Sequence, residues 1–119
     1  MHEFSIASDI IKTIRTNYSE EYKTLTAINI SIGRFSGIVR DSLDFGIEAA
    51  LRVDGIMDVQ VGITETDGKA KCQCGQAYDL RDIYDLCPSC QSTQREMLSG
   101  NEITIDTIEF NRDKQATNI

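Results

Sequence analysis

The 119 residues predict an α+β two-layer fold of the α/β class, with two helices packed on a three-stranded sheet and a cysteine-bearing subdomain inserted before the last strand. Three observations carry that expectation. Apolar residues recur at helical spacing in two segments and alternate in three others. Between the second and third alternating segments lies a polar, glycine-punctuated stretch that holds all four cysteines.

From Phe4 the apolar positions recur at Ala7, Ile11, Ile14 and Tyr18, while Ser8, Lys12, Arg15 and Glu20 fall elsewhere, which predicts a helix over about residues 4–22. The period then shortens to two. Ile28, Ile30 and Ile32 alternate with Asn29 and Ser31, giving one face of a strand that ends at Gly33. Arg34 to Arg40 has turn character around Ser36-Gly37, and Asp41 or Ser42 is expected to cap a second helix by accepting from its free amide hydrogens. Leu43, Ile47, Ala50 and Leu51 supply that helix's buried face, and Asp54-Gly55 stops it. Met57, Val59, Val61 and Ile63 alternate as a second strand, favoured by β-branched side chains. Ile103, Ile105, Ile108 and Phe110 restore a third strand. Its change of parity predicts a bulge or bend near Asp106-Thr107, and the tail from Asn111 to Ile119 reads as a frayed end.

The resulting division is an α/β domain of residues 1–66 and 100–119, interrupted by an insert of residues 67–99. The insert has no long apolar face, so a cross-link or a metal is expected to hold it. A formal charge of -7 and a pI near 4.6 argue against nucleic-acid or membrane partners, which attract clustered Lys and Arg. Within the insert, Lys69, Lys71, Arg81 and Arg95 are outnumbered by Asp67, Asp79, Asp82, Asp85 and Glu96. No apolar run reaches the ~18–20 residues of a membrane span, and the chain start lacks the basic and apolar character of a secretory signal, so a cytoplasmic location is expected. A reducing compartment favours metal ligation over disulfides for clustered cysteines. Nothing in the chain resembles a phosphate-cradling loop or a nucleophile motif, and the reading is of a protein that is not an enzyme.

Cys87-Pro88-Ser89-Cys90 has the spacing of a zinc knuckle, and Cys72-Gln73-Cys74-Gly75 is a shortened version whose glycine frees the backbone to fold over an ion. With no histidine nearby, the site would be all thiolate, which favours a closed, structural zinc in a zinc ribbon. A redox pair and an iron–sulfur centre are the competing readings; the first lacks the strand-to-helix context such a pair requires. The single histidine, His2, opens a different possibility. Met1 amine, the His2 amide and the His2 imidazole close adjacent five- and six-membered chelate rings suited to Ni(II) or Cu(II), with the Glu3 amide or carboxylate completing the set. By itself a histidine at position 2 is most often a solvated residue of a chain end. The chelate reading gains from a helix that begins within a residue or two of it.

Met1-His2-Glu3-Phe4-Ser5 leading into an amphipathic helix, Ile32-Gly33-Arg34-Phe35-Ser36-Gly37 after a strand, and Cys72/Cys74 with Cys87/Cys90 before a final strand together resemble the HypA/HybF family of nickel-insertion accessory proteins for [NiFe]-hydrogenase maturation. The resemblance covers residues 1 to about 110. It implies a metallochaperone that binds Ni(II) through Met1, His2 and Glu3 and carries structural Zn(II) on Cys72, Cys74, Cys87 and Cys90. It further implies delivery to the hydrogenase large subunit with a partner GTPase; the sequence leaves monomer and homodimer both open. Two departures from the family pattern stand out. The first cysteine pair is Cys-x-Cys rather than Cys-x-x-Cys, and Ile38-Val39-Arg40-Asp41 lacks the Asp-Pro found near there in many relatives, which leaves Asp41 as the nearest extra carboxylate for nickel. The alternative reading is a zinc-ribbon adaptor that binds protein partners without delivering nickel.

Overall fold

The computed structural model describes residues 3–111. Its elements are α1 (Glu3–Asn17), a 3-10 turn (Tyr22–Thr24), β1 (Leu25–Gly33), α2 (Arg40–Val53), β2 (Gln60–Thr66), β3 (Gly68–Cys72), β4 (Ala77–Leu80), β5 (Arg95–Ser99) and β6 (Ile103–Phe110). Two three-stranded sheets form, ordered β2-β1-β6 and β4-β3-β5. The fold is therefore two helices with two small sheets, the mixed α+β class expected from the sequence. Contacts divide the chain into two compact units: the described residues of 1–30, 38–64 and 105–119, and a second formed by 31–37 with 65–104.

The core of the first unit is aliphatic. Ala7, Ile10, Ile11 and Ile14 from α1, Leu25, Ile28 and Ile30 from β1, and Leu43, Ile47 and Leu51 from α2 are buried, joined by Ile56 and Ile63. Each large side chain removed from water contributes about 1.5–3 kcal/mol, so the apolar stripes hold the helices in place. The helices also approach closely, because a Cβ on Gly46 would lie 3.1 Å from the Ala7 methyl.

Helix α1 ends at Asn17, not near residue 22, and its buried face is Ala7, Ile10, Ile11 and Ile14. Phe4 and Tyr18, expected on that face, are 60% and 40% exposed. The segment after Asn17 turns to place Tyr22 in the core, an arrangement fixed by tertiary contacts and not by helical period. The second helix starts differently from expectation as well. Its cap is Val39, which has no side-chain cap bond; Leu43 N–H donates to the Val39 carbonyl at 3.0 Å. Asp41 lies inside the first turn, where its charge faces the positive end of the helix dipole. The predicted stop is as expected: Gly55 has φ +76, and Gly55 N–H to Arg52 O (3.0 Å) with Ile56 N–H to Leu51 O (2.9 Å) form a Schellman closure.

Met57 and Val59 precede β2 and do not belong to it. Asp58 adopts φ 63 between them, which breaks the alternation and leaves Met57 60% exposed. In β6 the parity does change: Ile103, Ile105, Ile108 and Phe110 are half-buried while Asp106 and Thr107 are both exposed.

The second unit has a small apolar interior of Ile32, Ala70, Leu80, Cys72 and Cys87. Strand β3 pairs antiparallel with β4 from Gly68↔Leu80 to Lys71↔Ala77, and with β5 from Lys69↔Ser99 to Cys72↔Arg95 with an irregularity at Lys69/Ala70. Backbones meet where glycines stand. A Cβ on Gly33 would sit 2.0 Å from the Gly100 carbonyl oxygen, while Gly33 N–H donates to Glu102 O at 2.8 Å and Phe35 N–H to Gly100 O at 2.9 Å.

Candidate metal centre

Strand β3 delivers Cys72 at its last residue, and a tight turn brings Cys74 alongside it. Gly75 N–H donates to Cys72 O at 2.8 Å, and Cys72 N–H to Gln76 O at 2.8 Å, with Gly75 at φ +99. A side chain at that φ would be strained, which is why glycine follows this cysteine pair. The second turn repeats the device: Gln91 N–H donates to Cys87 O at 2.7 Å and Cys87 N–H to Ser92 O at 3.2 Å, with Gln91 at φ 60.

The segment leading to Cys87 is locked by polar contacts. The Asp85 carboxylate accepts from the Arg81 and Asp82 amides at 2.9 and 3.2 Å, and Asp82 accepts from the Tyr84 amide at 2.9 Å. From β5, the Arg95 guanidinium donates to the Asp85 and Ile83 carbonyls at 2.9 and 2.5 Å. This network was not foreseen from the sequence, since no periodicity or spacing marks an arginine that satisfies carbonyls ten and twelve residues earlier.

The four sulfurs lie within 4.8 Å of one another, with Cys72 Sγ 3.3 Å from Cys90 Sγ and Cys74 Sγ 3.7 Å from Cys87 Sγ. No pair is at the ~2.05 Å of a disulfide. A tetrahedral zinc with bonds of about 2.3 Å requires sulfurs about 3.8 Å apart, so this donor set fits that ion. Cys72 and Cys87 are buried and Cys74 and Cys90 exposed, which gives the cluster one inner and one outer thiol from each pair.

Backbone amides point at the sulfurs. Those of Ser89 and Cys90 reach Cys87, that of Gln76 reaches Cys74 and that of Ser92 reaches Cys90. For Cys87, burial works against ionisation, but the Cys90 and Ser89 amides, aided by the Cys74 and Cys72 thiols, bring its pKa down to about 7. Cys90 moves the other way: the Ser92 amide favours its thiolate, yet Cys72, burial and the two remaining cysteines push it up to about 12. Cys74 is also raised, since the pull of the Gln76 amide is outweighed by Cys72, burial and Cys87. Crowded thiols therefore resist ionising together, and four thiolates require a cation among them.

The other sequence-predicted site is at the chain start. Met1 and His2 lie outside the described residues. Glu3 is the first residue of α1 and is buried, and its Oε2 accepts from the Val39 amide, the N-cap residue of α2, at 3.1 Å. Asp41 is exposed two residues beyond Val39. Val39 was missed as a contributor because its part is played by a backbone amide, which side-chain chemistry does not reveal.

An α+β protein with a tetracysteine metal-binding cluster is thus defined by the fold and site. The family model described as "HypA: Hydrogenase/urease nickel incorporation, metallochaperone, hypA" matches residues 1–110, and the chain belongs to the HypA family. It is 34% identical over 110 residues to the hydrogenase maturation factor HypA of Prosthecochloris aestuarii, covering 91% of this chain and 97% of the relative. It is 27% identical over 112 residues to that of Francisella philomiragia, covering 93% of this chain and 100% of the relative. The solution structure of the Ni metallochaperone HypA from Helicobacter pylori shares the fold, with a TM-score of 0.65 at 18% identity over 92% of this chain and 97% of that one. The first resemblance drawn from the sequence is therefore correct at the level of family. Among the described residues, no helix is long and apolar enough to cross a membrane.

Proposed function

We propose that this protein carries Ni(II) to the large subunit of a [NiFe]-hydrogenase during its maturation, working with a partner GTPase in the cytoplasm. Nickel is the cargo, bound by the Met1 amine, His2 and Glu3, with Asp41, in the first turn of α2, as a further carboxylate. Zn(II) is the resident ion, held by Cys72, Cys74, Cys87 and Cys90 in a closed site that fastens the second unit, and no residue is assigned a catalytic role.

The observation that carries this reading is the family match over residues 1–110, which begins at the proposed nickel ligands and includes all four cysteines. One feature supports it. The Glu3 carboxylate is tied to the Val39 amide, so the residue following His2 is anchored on the helix layer.

A carrier must hold its ion against water and still pass it on. A nitrogen-rich chelate at the chain start serves both needs, because an incoming ligand can displace one donor at a time. The thiolate site has the opposite character, with four soft donors and no open position.

The test is metal titration of untagged protein by calorimetry together with metal analysis. The parent is expected to bind one Ni(II) and one Zn(II), and His2→Ala to lose nickel while retaining zinc. Undiminished nickel affinity in His2→Ala with an acetylated amino terminus would overturn the assignment and favour the adaptor reading.

A further inference from the structure

The loop that carries Cys87 and Cys90 has little apolar support. Residues 81–94, between β4 and β5, form neither helix nor strand, and Cys87 is the one buried side chain among them. Ile83, Tyr84 and Leu86 are 56%, 80% and 46% exposed, so they do not fasten the loop to a core. Ordering an irregular segment costs backbone entropy that other contacts must offset. Here those contacts are polar, and two of them come from Arg95 of β5.

Arg95 belongs to both halves of the cysteine cluster. Its backbone stands beside the first pair: in the β3–β5 ladder Arg95 is opposite Cys72, and the preceding Gln94 carbonyl accepts from the Gln73 amide at 3.4 Å. Its half-buried side chain crosses to the second pair, where Nη1 donates to the Asp85 carbonyl at 2.9 Å and Nη2 to that of Ile83, both just before Cys87. Among the described residues the guanidinium makes no salt bridge, so its donors serve backbone carbonyls instead of a carboxylate. A rigid planar fork holds two carbonyls at once; a lysine ammonium on its flexible stem does not reproduce that geometry.

We infer that Arg95 is a positioning residue for the metal cluster: by tying the loop before Cys87 to the strand opposite Cys72, it holds the second cysteine pair against the first and slows release of the bound ion. The inference rests on the zinc assignment above. A competing chelator removes zinc by displacing thiolates one after another, and each displacement succeeds only if the freed cysteine stays away long enough to be replaced. A loop pinned at two carbonyls returns Cys87 and Cys90 to the ion quickly, whereas an unpinned one lets them stray. Groups that orient metal ligands without touching the metal typically change affinity by about 10–100-fold, and a loop with no other buried side chain belongs in that range.

The test follows zinc transfer from the zinc-loaded full chain to an excess of a chromophoric chelator. Arg95→Lys and Arg95→Met are expected to release zinc at least about tenfold faster than the parent, and Glu96→Gln, at the exposed next position of β5, at the parent rate. Pulsed alkylation during release, read for each cysteine by mass spectrometry, separates positioning from a general loosening of the second unit. In Arg95→Lys, labelling relative to the parent should accelerate at Cys87 and Cys90 more than at Cys72 and Cys74. Loaded with Co(II), both variants should keep the visible absorption band of a tetrahedral four-thiolate site, since the donors are unchanged. Release at the parent rate in both variants, equal acceleration at all four cysteines, or loss of the Co(II) band in both variants would overturn the proposal. A parent whose cysteines take up neither Zn(II) nor Co(II) would overturn the zinc assignment itself, and this proposal with it.

Discussion

Removing the Asp54 carboxylate should destabilise the first unit by about 2–4 kcal/mol, in a way that depends on pH. Asp54, the C-cap of α2, gathers three groups: the Tyr22 hydroxyl donates to Oδ2 at 2.5 Å, Arg15 Nη1 donates to the same oxygen at 2.8 Å, and Lys23 Nζ donates to its carbonyl at 2.7 Å. Tyr22 is 3% exposed, so Asp54→Ala strands a buried hydroxyl, at a cost of about 1–3 kcal/mol. The Arg15 pair adds at most about 1 kcal/mol, because the arginine side chain is 49% exposed and screened by water. The Lys23 bond is to the backbone and survives. The Tyr22 bond, then Arg15, holds the Asp54 carboxyl below its ordinary value against the opposing effect of burial. A depressed folded-state pKa gives stability that is present above the unfolded value near ~3.9 and is lost as pH falls through the folded one. The variant's deficit should accordingly be full at pH 7 and shrink below about pH 4. Urea denaturation of parent, Asp54→Ala, Tyr22→Phe and the double variant would measure it, with a coupling of about 1–2 kcal/mol expected at pH 7. Additive single effects, or a deficit that is the same at pH 3 and pH 7, would refute the reasoning.

Gly33→Ala should lower stability by about 3–5 kcal/mol in thermal or urea melts, because a methyl 2.0 Å from the Gly100 oxygen must part backbones that two hydrogen bonds hold together. A stability within about 1 kcal/mol of the parent would contradict that geometry. Chelation of the proposed zinc, or Cys90→Ser, should abolish amide-exchange protection in β3, β4 and β5 while leaving α1 and α2 protected, since the second unit has few buried apolar side chains and a structural zinc contributes on the order of 10 kcal/mol. Protected strands without metal would count against a structural ion. Phe45→Ser should change the melting midpoint little, by about 0.5 kcal/mol or less in stability, because the ring is mostly in water already; a large loss would mean the ring supports the fold. At alkaline pH, burial and then Asp54 raise the Tyr22 pKa above its ordinary value, so the folded state keeps that proton longer and stability should fall as pH climbs past ~10.

Much of this protein was determined along the chain itself. The aliphatic stripes of α1 and α2, the alternating isoleucines of β1, the stop at Gly55 and the parity change in β6 follow from local period and backbone chemistry, which act over a few residues. The cysteine pairs were equally legible, because two donors two or three residues apart can only converge through a tight turn. Tertiary structure decided the rest. It ended α1 at Asn17 by drawing Tyr22 inward, and it started α2 at Val39 without the expected carboxylate cap. It also brought residues 31–37 into the unit that holds the cysteines, and gave Arg95 the carbonyls that set the loop before Cys87. Those outcomes depend on backbone groups and on partners distant in sequence, and a backbone amide or carbonyl is the same at every position until the fold selects which one is reached.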